Sequence, residues 1–245
     1  MKITYQFTDQ GDLDETFNVQ FTEDMQLIST SADATLPEWT RLAFHQCGNC
    51  PLQSTPRCPA AVVVADLMGL CEQLISYDKV EVKVTTEERT IIQKTSAQRG
   101  ISALMGLLLA TNGCPVTAIF RPMARFHLPF SSEEETVYRV TSMFALAQYF
   151  LAENNIDSNL ADLSDTYKEI QQVNRAMADR LRSAATTDSS INALVLLDTL
   201  GMAVPSYIDQ SLDELRELFE PCLKALADDP AHPVPEHGVK LQRGG

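Results

Sequence analysis

A chain of 245 residues with 44% hydrophobic content can bury a substantial core without a metal or disulfides to hold it together. Its formal charge of −14 sets it against polyanions, so neither nucleic acid nor an anionic membrane surface is an expected partner. No apolar run is long enough to span a bilayer. Met1-Lys2 leads straight into the alternating Ile3-Thr4-Tyr5-Gln6-Phe7 with no apolar leader segment, which predicts a cytoplasmic protein.

Ile3, Tyr5 and Phe7 alternate with polar residues, as do Phe17, Val19 and Phe21, and the turn-rich Asp9-Gln10-Gly11-Asp12 separates the two sets. This pattern predicts an antiparallel hairpin, with Met25-Gln26-Leu27-Ile28 as a candidate third strand. Leu36 to Leu42 then delivers the single tryptophan, Trp39, beside a loop rich in cysteine, glycine and proline. Trp39 and Phe44 are placed to shield that loop from water.

Within Phe44-His45-Gln46-Cys47-Gly48-Asn49-Cys50-Pro51 and the following Cys58-Pro59 lie three of the six cysteines and one of the four histidines. His45, Cys47, Cys50 and Cys58 offer three thiolates and an imidazole on backbone too irregular for a helix or strand, which suits a structural zinc shell. A second arrangement replaces His45 by Cys114. Four cysteines result, three of them before proline, and such a shell would suit zinc or an iron–sulfur cluster. A reversible Cys47/Cys50 dithiol is the alternative, as are cysteines with no ligand at all.

From Pro59 to Ile75 an apolar segment carries Asp66, Gly69, Glu72 and Ser76 at helical spacing, predicting a largely buried helix with a narrow polar stripe. Cys58 stands just before its first turn. Free N–H groups there favour a thiolate, so a lowered pKa is expected for Cys58. Cys71, mid-helix, is expected to be a small buried hydrophobe.

Val80, Val82 and Val84 followed by Arg89-Thr90-Ile91-Ile92 predict a second hairpin in the same sheet. Beyond Thr95 the period becomes helical, and Thr95-Ser96-Ala97-Gln98 has the form of a capping box. A helix from Ala97 to Thr111, apolar nearly all round, should be central and stop at Asn112-Gly113. Pro115, Pro122 and Pro129 punctuate the next connection, read as irregular backbone carrying Arg121, Arg125 and His127.

Ser131/Glu134 or Ser132/Glu135 should cap a long helix running to Asn154-Asn155. Another begins near Ser164, with Ile170, Val173, Met177 and Leu181 as its apolar stripe. Asp188 to Gly201 predicts a further helix, and Ser211 caps a last one whose Leu215, Leu218, Phe219, Leu223 and Leu226 face inward until Pro221 kinks or ends it. The segment from Asp228, which contains His232 and His237, has too little apolar content to order itself.

Arg99, Arg121, Arg125 and His127 form the second candidate cluster, in a chain with only 19 Lys and Arg. Guanidinium groups could hold a small anion, with His127 as acid or base and Cys114 as nucleophile. The alternative is that the arginines pair with Glu133, Glu134 and Glu135 and only tie helix starts together.

The blocks Phe44 to Leu52, Cys58-Pro59, Gln98-Arg99-Gly100-Ile101-Ser102 and Pro122-Met123-Ala124-Arg125-Phe126-His127-Leu128-Pro129 resemble those of a family of uncharacterised bacterial proteins, a domain of unknown function. The likeness covers the chain up to about Gln148 and implies a bacterial origin and one shared fold. It carries no activity, so no catalytic residue follows from it.

These readings combine into an α+β protein. Residues 1–95 carry the antiparallel sheet and cysteine loop, 96–227 are helical, and 228–245 form a disordered tail, with 1–227 folding as one unit. The function expected is a cytoplasmic zinc or iron–sulfur protein. Its rivals are an enzyme acting on a small anion through Cys114 and His127, and an interaction module that docks a protein partner or a second copy of the chain.

Overall fold

Alternation along the first strand places Ile3, Tyr5 and Phe7 on one face, and all three are fully buried. In the structure, a computed structural model, this strand is β1 (Lys2–Thr8). Residues 1–9, 11–28, 36–74, 77–151, 161–184, 192, 195 and 216–225 are described. β1 pairs antiparallel with β2 (Asp14–Gln20), with Tyr5 opposite Phe17. Its other edge pairs with β3 (Lys79–Thr85), which also pairs with β4 (Thr90–Ser96).

The sheet therefore has the order β2-β1-β3-β4, all antiparallel. Both hairpins share it, as the sequence predicts. The expected third strand at Met25–Ile28 shrinks to one bridge between Phe21 and Leu27. Met25 turns to a φ of 61°, and the Leu27 N–H donates to Thr111 O instead of continuing a ladder.

The buried face of the sheet, with Val80, Val82 and Val84 beside the β1 residues, packs against two helices in a single core. These are α1 (Pro59–Gln73) and α2 (Ala97–Thr111). α2 lies so close that a Cβ on Gly100 would fall 2.8 Å from Phe7 Cε1 and 2.9 Å from Val82 Cγ2. The α2 cap is Ser96, whose side chain accepts from the Arg99 N–H, one residue later than the Thr95 frame suggests. The helix stops at Asn112, and Gly113 takes a φ of 91°, a conformation glycine adopts without a Cβ penalty.

The proline-punctuated connection is more helical than expected. A 3-10 turn, Thr117–Phe120, runs into α3 (Arg121–Arg125), with Pro122 in the first turn, where its missing N–H costs nothing. α4 (Glu133–Leu151) is capped by the Ser132/Glu135 box: Glu135 N–H donates to Ser132 Oγ at 3.1 Å and Ser132 N–H to Glu135 Oε2 at 2.7 Å. α5 (Ala161–Ala184) buries Leu163, Tyr167, Ile170, Val173, Met177 and Leu181.

Met1–Pro205 forms one compact unit and Ser206–Gly245 another. In the second, 216–225 form a helix, α6, that continues through Pro221; its Leu218, Phe219 and Leu223, expected to face inward, are exposed. Apart from residues 192 and 195, the helix expected between Asp188 and Gly201 lies outside the described residues, as do Leu215, Leu226, the tail 228–245 and the Cys71 side chain. The whole is α+β. No helix among the described residues is long and apolar enough to cross a membrane.

Candidate functional site

The cysteine loop is tied at its neck by backbone hydrogen bonds. Cys58 N–H donates to Thr40 O at 2.8 Å and Leu42 N–H to Pro56 O at 3.0 Å, flanking a bridge between Arg41 and Arg57. Within the loop, Cys50 N–H donates to Cys47 O at 3.1 Å and closes a tight turn between the two thiols. Asn49, between them, donates to Glu169 O and Glu169 Oε2 of α5 at 3.0 and 2.6 Å.

Cys58 caps α1, whose first residue is Pro59. Cys114 reaches the same place from the end of α2, because a Cβ on Gly113 would lie 3.9 Å from that of Pro59. Both Cys58 and Cys114 are buried, Cys47 and Cys50 are half-buried, and none of the four is disulfide-bonded.

The thiols lie within electrostatic reach of one another. Burial, reinforced by Cys58, Cys50 and Cys114, pushes the Cys47 thiol up to about 11. Burial also raises Cys58, against the first-turn amides of Ala61 and Ala60 and the Arg180 guanidinium, which pull it down. The lowered pKa expected of Cys58 is therefore corrected: the helix start acts as anticipated, but desolvation outweighs it.

Behind the thiols stands Arg180 of α5, only 1% exposed. Its guanidinium donates to three backbone oxygens, Trp39 O at 2.6 Å, Arg41 O at 2.7 Å and Leu42 O at 3.0 Å. Burial lowers its pKa, and the thiols of Cys58, Cys47 and Cys50 oppose that change. A cation satisfied only by neutral carbonyls is costly to bury. The ionisable groups that act on its charge are those cysteines, which offset it only when they are thiolates, a form that burial disfavours in Cys47 and Cys58.

His45 is exposed, at a φ of 44°, with Nε2 3.5 Å from Ser183 Oγ and its ring edge-on to Phe44. It is not among the groups that act on Cys47. Among the described residues, no group of three or more histidine, cysteine, aspartate or glutamate side chains stands in a geometry that could hold a metal ion.

The second cluster is divided. Arg121 faces Asp24 at 4.0 Å, and Arg125 pairs with Glu88 at 3.5 Å while lying over the Phe126 ring. Neither pairs with Glu133 to Glu135, and Cys114 belongs with the other thiols. Arg99 and His127 line a cavity of about 460 Å³ between α2, α3, α4 and α5, together with Arg139, Tyr167 and a largely apolar wall.

His127 Nε2 meets the Tyr5 hydroxyl at 2.5 Å. Tyr5 is fully buried, and burial keeps it protonated by raising its pKa well above the usual tyrosine value. Among the described residues its O–H has no other acceptor, so it donates to Nε2 and the imidazole proton sits on Nδ1. Burial, then the nearby Arg139, lowers the His127 pKa to about 4. Sequence reasoning passed over Arg180 and Arg139. The signal for Arg180 was a charged residue three and seven positions beyond Met177 and Val173, inside the apolar stripe of α5.

Residues 3–220 match the family described as Domain of unknown function (DUF6901). The chain belongs to that family. The DUF6901 match runs well past Gln148, so the domain includes α5 and with it Arg180, as well as the sheet and cysteine loop. No curated protein and no solved structure matches the chain.

Proposed function

We propose that this DUF6901 chain is a cytoplasmic metal-binding protein in which Cys47, Cys50, Cys58 and Cys114 hold a zinc ion or an iron–sulfur cluster. The observation that carries the reading is the buried Arg180 beside thiols drawn from two distant segments. Zinc held by four thiolates has a net charge of −2, and a buried guanidinium with no carboxylate partner among the described residues offsets part of it. The donor set is also chemically apt, since soft thiolates select zinc or iron–sulfur clusters over hard cations. Cys114 fits this set better than His45, which is turned towards Ser183.

Binding requires thiolates, so the ion must displace protons and draw the loop closed around itself. The bound group would contribute either a structural staple or electron transfer. The net charge of −14 argues for a role apart from nucleic acid.

The test is elemental analysis and visible spectroscopy of the full chain purified without oxygen. One equivalent of zinc in colourless protein, or iron with visible absorption, is expected. Cys47→Ser, Cys58→Ser or Cys114→Ser should each remove most of the metal, whereas His45→Gln and Cys222→Ser should retain it. Protein that stays metal-free after anaerobic reconstitution with zinc, and with iron and sulfide, overturns the reading.

A further inference from the structure

The cavity between α2 and α5 is built differently from the thiol cluster, and none of the four cysteines lines it. Its volume of about 460 Å³ lies within the roughly 300–1,000 Å³ typical of small-molecule sites. Leu107, Leu109, Phe120, Met123 and Ile170 give it an apolar wall.

The polar side chains on that wall include one carboxylate, Glu133, against the donors Arg99, Arg139, His127 and Tyr167. Arg139 gives three hydrogen bonds, to Met123 O at 3.1 Å, Phe126 O at 3.0 Å and Ser131 Oγ at 3.3 Å. These fix the guanidinium; the Glu135 carboxylate, one turn earlier on α4, acts on its charge without a direct ion pair, and its Nε–H carries no bond among the described residues. His127, close enough to feel that charge, has its Nε2 occupied by Tyr5 and keeps Nδ1–H for a ligand. Tyr167 is 5% exposed, packs on Phe120 with ring centroids 5.7 Å apart, and its hydroxyl has no hydrogen-bond partner among the described residues. Arg99, at the start of α2, is exposed and forms no ion pair among the described residues.

Acidic residues outnumber basic ones 33 to 19 in this chain, yet two arginines that form no ion pair among the described residues line one largely apolar cavity, with Glu133 the one carboxylate on its lining. Fixed donors beside an apolar wall match a ligand with an anionic acceptor at one end and a hydrocarbon body at the other. We propose that this cavity binds one molecule of an amphipathic organic carboxylate, its acid group held by Arg139 and His127 and its apolar body lying along α2 towards Phe120 and Tyr167. The proposal stands independently of the metal reading.

Isothermal titration of the full chain with octanoate, 1-octanol and acetate separates the contributions. Octanoate should bind with a stoichiometry of one, at least about ten-fold more tightly than octanol, which has the body without the charge, and more tightly still than acetate. Arg139→Gln should weaken octanoate at least about ten-fold and leave octanol unchanged. Because Arg139 also braces two backbone carbonyls, Ala103→Phe provides the second variant: it fills the cavity from α2 and should abolish octanoate binding with melting temperature and metal content unchanged. Absence of saturable octanoate binding, equal affinity for octanol, or undiminished binding by Ala103→Phe would each overturn the proposal.

Discussion

Tyr5 and His127 meet through a 2.5 Å hydrogen bond across 122 residues of sequence, tying the middle of the sheet to the connection after α3. Burial and the nearby Arg139 hold the imidazole neutral, and a bond donated by Tyr5 places its proton on Nδ1. Nitrogen-15 NMR should therefore show the Nδ1–H tautomer, with no protonation until the pH approaches about 4. The consequence for stability has a definite sign. A histidine whose folded pKa lies below its unfolded value costs nothing above about pH 6.5, and destabilises the fold progressively as pH falls from there to about 4. The loss should reach about 3 kcal/mol at roughly 1.4 kcal/mol per pH unit, and urea unfolding of wild type and His127→Gln should show this slope only in wild type.

Arg180 should be the least replaceable charged residue of α5. Arg180→Met leaves the oxygens of Trp39, Arg41 and Leu42 buried without their donor, and an expected loss of about 3 kcal/mol or more follows from the unmet hydrogen bonds. Arg180→Lys keeps the charge but not the planar fork that spans three carbonyls, so it should recover only part of the loss. Denaturant midpoints of the three proteins check the order wild type, Lys, Met.

Gly100→Ala ordinarily stabilises a helix by up to about 1 kcal/mol. Here the added methyl meets Phe7 Cε1 and Val82 Cγ2 at less than 3 Å, so overpacking should dominate and the net change should be a loss of about 1–3 kcal/mol. Phe7→Leu in the same chain should relieve part of the penalty. A thermal melt that moves upward for the single variant would show that the α2–sheet contact is looser than described.

Cys47, with its thiol pushed up to about 11, should resist alkylation in metal-free protein. Its thiolate fraction at pH 8 is roughly 100-fold below that of an ordinary cysteine with pKa near 8.5–9. Timed iodoacetamide labelling with peptide mapping should find the exposed Cys222 modified well before Cys47. Raising the pH to 10 should narrow the gap.

Much of the fold was legible because it depends on local patterns. Val80, Val82 and Val84 alternate since one side of their strand meets a core and the other meets water, and Ser132 with Glu135 announces α4 by the chemistry of unpaired amides. The candidate sites were legible only in part, because they are made of contacts between segments. Spacing alone favoured His45 as a companion of Cys47, being two residues away. Cys114 arrives instead from the far side of α2, through a left-handed turn at Gly113 packed on Pro59, and no sequence interval encodes that meeting. Arg139 and Arg180 were not read as site residues in the sequence. Their partners are backbone oxygens of remote loops, which leave no mark in composition or period.

Arg180 and the Arg41 oxygen it caps are 139 residues apart, and this separation has a consequence during synthesis. A ribosome releases the cysteine loop long before it makes the helix that braces it. Until α5 emerges, the carbonyls of Trp39, Arg41 and Leu42 must borrow water, and the loop is free to sample other shapes. Maturation of this region is thus a late event, and a chain that stalls before residue 180 presents its thiols to the cell on an unbraced loop.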